Sequence, residues 1–147
     1  MSTAVATDGE FAGWSRWTAD PFEDNVGPFY FRTGPDGRRV TAFRAEKKHM
    51  NGLGHMHGGC LMAVADMALF TIARDALAGQ SGVTVALDSV FLSPGNLGDL
   101  VEATGEVTRA GGSLIFVRGQ VMAEQRMLLT FSGVIKKLKP RAAQTPA

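Results

Sequence analysis

Gly58 to Ala73 reads GGCLMAVADMALFTIA, a run in which Asp66 is the only charged residue. Burying an isolated carboxylate costs several kcal/mol or forces it to take a proton, so Asp66 must be paired or perform chemistry. Drawn as a helix, the run puts Gly59, Met62, Ala63, Leu69, Phe70 and Ala73 on the side of Asp66. Cys60, Leu61, Val64, Ala68 and Thr71 fall on the other side. Such a helix is apolar all round and should be buried all round. One antiparallel sheet covers only one face, so a second layer is needed, and a second copy of the chain is its simplest source. An oligomer is therefore expected.

The helix is expected to run from about Gly58 to Ala78 and to close at Gly79. Upstream, Gly27 to Thr33 and Arg38 to Ala45 read as strands joined by a Gly34-Pro35-Asp36-Gly37 turn. Downstream the period changes to two, and Val83–Leu92, Leu100–Arg109, Ser113–Met122 and Met127–Lys137 read as strands. Glu102, Thr104, Glu106 and Thr108 alternate with Val101, Ala103, Gly105 and Val107, the pattern of a sheet with one wet face. Near the start, Phe11, Trp14 and Trp17 fit one side of a short helix ended by Asp20-Pro21. The organisation expected is an N-terminal extension with a short helix (residues 1–24), one α+β domain (25–138) and a flexible tail (139–147).

Composition limits the function classes. The 147 residues suffice for one domain, and 15 Lys plus Arg against 14 Asp plus Glu leave a net charge of +1. No strong field points to nucleic acid or to an acidic membrane. The single cysteine, Cys60, has no internal disulfide partner, which suits a reducing compartment. No signal peptide is read in MSTAVATDGE, and Asp66 and Arg74-Asp75 interrupt the best candidate for a membrane span. A cytoplasmic protein is the expectation.

The residues that carry chemistry cluster before and within the helix. Asn51 precedes His57-Gly58-Gly59, and the sequence from Asn51 to Asp66 reads NGLGHMHGGCLMAVAD. A second segment, T-x-A-L-D-x-x-F-L-S-P, spans Thr84 to Pro94, and FLSP-x-x-x-G spans Phe91 to Gly98. With this order of elements, the chain resembles the hotdog-fold acyl-CoA thioesterases, most closely the phenylacetate-degradation (PaaI-like) type. The resemblance covers roughly residues 25–138. It implies a hotdog fold, an antiparallel sheet of five to six strands wrapped around one long buried helix.

The resemblance also implies roles. Asp66 would be nucleophile or general base, the Gly58 N–H would donate to the thioester oxygen, and Asn51 would polarise that carbonyl or hold the attacking water. His57 would orient Asn51 and the loop, and Thr84 would position the water. The substrate would be an acyl-CoA, with no metal and no cofactor beyond the CoA that the substrate carries. The chain would form a homodimer, with two dimers pairing into a tetramer. These roles agree with elementary chemistry. An unsatisfied N–H in the first turn of a helix is a preorganised donor for a developing oxyanion. Glycine at 58 and 59 allows close approach to the backbone. A poorly hydrated carboxylate is a stronger base.

Other side chains have competing readings. Gly59, Met62 and Phe70 share the Asp66 face and would line the substrate pocket. Cys60, Met67 and Met127 read as core. His49, His55 and His57 suggest a metal cluster, but no Cys or close carboxylate completes the shell. Asp88 fits a structural hydrogen bond better than catalysis. Lys136 and Lys137, with Lys139 and Arg141, would grip CoA phosphates or form a solvated edge. A hydratase or dehydratase on the same fold, or a non-catalytic acyl-CoA binding module, are the other readings.

Overall fold

The computed structural model describes residues 2–139. Among them, β1 (Ser2–Val5), β2 (Ser15–Thr18), β3 (Tyr30–Thr33), β4 (Arg39–Arg44), β5 (Gly82–Phe91), β6 (Leu100–Ala110), β7 (Leu114–Ala123) and β8 (Arg126–Lys137) form one sheet. Its order is β1-β2-β3-β4-β6-β7-β8-β5 and every pairing is antiparallel. The count is eight strands where five to six were expected. The strands from β3 to β5 in that order are the expected six, and β1 and β2 extend their edge.

The extra pair overturns the expected helix at Phe11 to Trp17. The spacing of the three aromatic residues imitates one face of a helix, but Gly9 and Gly13 adopt φ of 73° and 84°, which turns the chain into a hairpin. Phe11 and Trp14 pack with Ala42 in a small separate cluster, and Phe11 stacks on Tyr30 with ring centroids 4.4 Å apart. Trp17 instead enters the main core and meets Phe31. The tail expected at residues 139–147 lies, from residue 140 onward, outside the described residues.

Asp20-Pro21 begins a helix rather than ending one. Helix α1 (Pro21–Val26) has Asp20 as its N-cap, whose carboxylate accepts the Glu23 N–H at 3.1 Å. Proline at the first helical position is compatible because its missing N–H has no intrahelical use.

The long helix α2 (Gly58–Ile72) lies against the inner face of the sheet, and α3 (Arg74–Leu77) follows it after Ala73. It buries Cys60, Leu61, Val64, Ala65, Met67, Ala68, Leu69 and Thr71. Gly133 of β8 permits this approach, since a Cβ there would stand 2.5 Å from a Leu69 methyl. The buried Thr71 hydroxyl is satisfied by Thr41 of β4 at 2.7 Å and by the Ala68 carbonyl at 3.1 Å. Within one chain α2 is buried on one side only; Gly59 is exposed, and Met62, Ala63, Asp66 and Phe70 are half-buried. That open face is where the candidate site lies.

Candidate active site on the open face of the long helix

Three contacts lay α2 along β5 in opposite directions. Gly58 sits beneath Phe91, whose Cε1 would be 3.2 Å from a Cβ at that position. The Ser89 hydroxyl meets Met62 Sδ at 2.8 Å. The Thr84 hydroxyl donates to Asp66 Oδ1 at 2.6 Å. Asp66 and Thr84 are therefore neighbours, as a carboxylate and the hydroxyl that holds its rotamer. Gly58 stands at the other end of β5.

The first turn of α2 leaves one donor open. His57 is the N-cap, and its Nδ1 accepts the Gly59 N–H at 2.8 Å. The N–H groups of Cys60 and Leu61 reach the His57 carbonyl at 2.9 and 3.3 Å. Among the described residues, only the Gly58 N–H of this turn has no acceptor. The His57 ring, expected to orient Asn51, uses its Nδ1 to cap the helix, and among the described residues no hydrogen bond joins it to the Asn51 side chain. Asn51 closes its own turn, its Oδ1 accepting the N–H groups of Leu53 at 2.9 Å and His55 at 3.2 Å. The amide nitrogen is left as its available donor, which matches a role on a carbonyl oxygen better than a role as acceptor.

Helix α1 is fastened over α2 through His49. The Nδ1 of this buried ring accepts the Glu46 N–H at 2.9 Å, so Nε2 carries the hydrogen and donates to the Val26 carbonyl at 2.8 Å. Burial pushes the imidazole pKa down, which favours this neutral form. The His49 carbonyl in turn accepts the His57 N–H at 2.8 Å, linking α1 to the start of α2.

Glu23 and Val26 are the half-buried residues of α1, one turn apart and directed inward. Burial, then the charges of Asp20, Asp66 and Asp24, lift the Glu23 carboxyl to about 7. Glu23 is therefore a second acidic group beside Asp66 that sequence reasoning missed. The capping spacing Asp20-x-x-Glu23 was its available signal. Because its folded pKa lies above the 4.5 of a free glutamate, the folded chain holds a proton here that the unfolded chain releases between 4.5 and about 7. The stabilisation is complete below that window and is lost as pH rises through it. Glu23→Gln should therefore leave the melting temperature unchanged near pH 4 and raise stability by about 2 kcal/mol near pH 8, after discount for solvent screening. Thermal melts across pH check this, and equal curves for both proteins would contradict it.

The remaining candidates fall into separate places. Gly59, Met62 and Phe70 share the open face with Asp66. Lys136 and Lys137 pair in register with Val83 and Gly82, at the Thr84 end of β5. Lys139 is exposed, and Arg141 lies outside the described residues. Cys60 is buried, and burial pushes its thiol up to about 11, so it stays protonated. Asp88 is exposed and makes no side-chain hydrogen bond among the described residues, which corrects the structural role expected for it. His49, His55 and His57 face separate partners, and no group of three ligands for a metal gathers among the described residues. No helix there is long and apolar enough to cross a membrane.

Against known proteins, the model of the thioesterase superfamily matches residues 53–130. PA0474 of Pseudomonas aeruginosa, provisionally named an esterase, is 32% identical over 117 residues, covering 79% of this chain and 87% of that protein. Human acyl-coenzyme A thioesterase 13 is 29% identical over 99 residues, covering 65% and 68%. The BH2602 protein from Bacillus halodurans, solved with CoA, superposes with a TM-score of 0.74 at 25% identity, covering 86% and 83%. A variant of the phenylacetic acid degradation protein PaaI from Thermus thermophilus gives 0.70 at 26%, covering 81% and 100%.

Proposed function

Because the chain belongs to the thioesterase superfamily, and is by that membership a thioester hydrolase, we propose that it hydrolyses acyl-CoA to a free acid and CoA. The observation that carries this reading is an unbonded N–H at Gly58 together with a Thr84-held carboxylate at Asp66 on the open face of one helix. Thioester hydrolysis places negative charge on the carbonyl oxygen, where the Gly58 N–H and the Asn51 amide would receive it. Asp66 then attacks the carbonyl carbon or takes the proton of an attacking water. A thioesterase relative and a CoA-bound structural neighbour support CoA as the thiol half of the substrate.

Each site is shared between two chains in this reading. Gly58 and Asp66 are eight residues apart, so at 1.5 Å per residue their backbones stand about 12 Å apart along the axis. Both groups must lie within about 3 Å of atoms of one thioester. Two α2 helices running antiparallel across a two-fold axis satisfy this, combining Asn51 and Gly58 of one chain with Asp66 of the other. Strand β5 supports such a dimer, since it is a sheet edge on which Val85 and Phe91 are each 53% exposed. Two dimers would pair into a tetramer.

The test couples thiol release from aromatic, short and medium-chain acyl-CoA esters to complementation. Asn51→Ala and Asp66→Asn, each nearly inactive, should regain about a quarter of full activity when equal amounts pair at random, because a mixed dimer holds one intact site. Verified mixed dimers as inactive as their parents would place the whole site in one chain. Binding of CoA esters with no turnover across the panel would make the protein a binding module.

A further inference from the structure

The segment from Trp17 to Val26 runs beside the open face of α2. Trp17 stands at the Phe70 and Arg74 end, Glu23 beside Asp66, and Val26 near Gly59 and Cys60. The far end is a cavity of about 450 Å³ lined by Trp17, Phe70 and Leu77 and by the polar side chains of Arg74, Asp75 and Gln80. The Arg74 guanidinium carbon is 5.5 Å from the ring centroids of Trp17 and Phe31. Among the described residues no carboxylate pairs with Arg74 and no acceptor takes any of its donors. The neighbouring Asp75 is engaged by Arg39 at 2.9 Å. A half-buried guanidinium with open donors, in a mixed cavity that also presents the Trp17 and Phe70 rings and whose one carboxylate is held by Arg39, is a receptor for a planar anion.

Position decides which anion. Phe70 lies one turn beyond Asp66 on α2, and Arg74 opens α3 directly after the Ala73 break, so the Arg74 backbone stands about 12 Å or less from that of Asp66. An extended chain advances about 1.2 Å per bond, so an acyl group of medium length spans the gap once the reach of the Arg side chain is subtracted. The phosphates of CoA lie on the other side of the thioester, beyond the pantetheine arm, and call for more than one cation.

We propose that Arg74 anchors the distal end of the acyl group, so that the preferred substrates are CoA thioesters whose acyl chain ends in a carboxylate. This rests on the thioesterase reading and narrows its substrate class. Trp17 and Phe70 pack against the methylene or aromatic body of the acyl group, and the terminal carboxylate takes the paired donors of Arg74.

The test compares suberyl-CoA with octanoyl-CoA, which differ by the terminal carboxylate. The parent should show kcat/KM about tenfold to a hundredfold higher for suberyl-CoA, as one charge-assisted pair provides. Arg74→Met should collapse that ratio to near one, Arg74→Lys should retain part of it, and inhibition by CoA alone should be the same in all three proteins. A parent that hydrolyses octanoyl-CoA as well as suberyl-CoA overturns the proposal and leaves the thioesterase reading standing; this comparison needs no variant. Tenfold weaker inhibition by CoA in Arg74→Met assigns the anion to CoA and also overturns it. A folded parent that hydrolyses no ester overturns both readings.

Discussion

Asp66→Asn is expected to lower kcat by about two to four orders of magnitude while leaving the fold intact. The amide has nearly the volume of the carboxylate, and its oxygen can still accept the Thr84 hydroxyl now 2.6 Å from Asp66 Oδ1. The side chain is half-buried on the open face of α2, so no sealed core is disturbed. What the amide cannot do is accept a proton or attack a carbonyl carbon. Circular dichroism and thermal melting report the fold, and thiol release reports turnover. A folded variant within threefold of the parent would make Asp66 structural and remove the centre of the proposed mechanism.

Gly58→Pro should abolish turnover by deleting the donor assigned to the oxyanion, a loss of about a hundredfold to a thousandfold for one such donor. The structure makes this a clean substitution. The Gly58 N–H has no acceptor among the described residues, so proline removes no internal hydrogen bond. Position 58 is the first residue of α2, where proline is favoured, and His57 already has the extended φ of −64° and ψ of 133° that a following proline requires. The added carbons press on Phe91, an exposed ring that can move. Gly58→Ala brings the same crowding and keeps the N–H, so it should retain most of the activity that proline loses. Full turnover in a folded Gly58→Pro protein would exclude this N–H as the oxyanion donor.

Both substitutions act on residues that were legible before any coordinates. Asp66 stands out because an isolated charge in an apolar run has few physical explanations. Gly58 stands out because paired glycines at the start of an apolar helical run leave an accessible backbone with an unsatisfied N–H. Glu23 and Arg74 were not legible in this way. Glu23 sits in an acidic surface-like segment, DPFED, and Arg74 sits beside Asp75, which suggests an ordinary local pair. Arg39, thirty-six residues away in the chain, takes Asp75 instead.

The sequence by itself determined the main strands and the long helix, because alternation of period two and an apolar helical run are local signals that packing does not reverse. It grouped Asp66 with Gly59, Met62 and Phe70 on one side of α2, but an apolar helix read as buried all round gave no open side; that Leu69 and Ala73 of the same side are fully buried while the other four stay accessible is a structural result. Tertiary structure alone decided what stands opposite that face. The hairpin of β1 and β2 replaced a helix because glycines at 9 and 13 favour a reversal and the edge of β3 was free to pair. Strand β2 carries Trp17 to the Arg74 end, and helix α1 brings Glu23 within reach of the charge of Asp66. The proton held by Glu23 and the open donors of Arg74 follow from which distant side chains meet them, and side-chain surroundings of that kind are not written in local pattern.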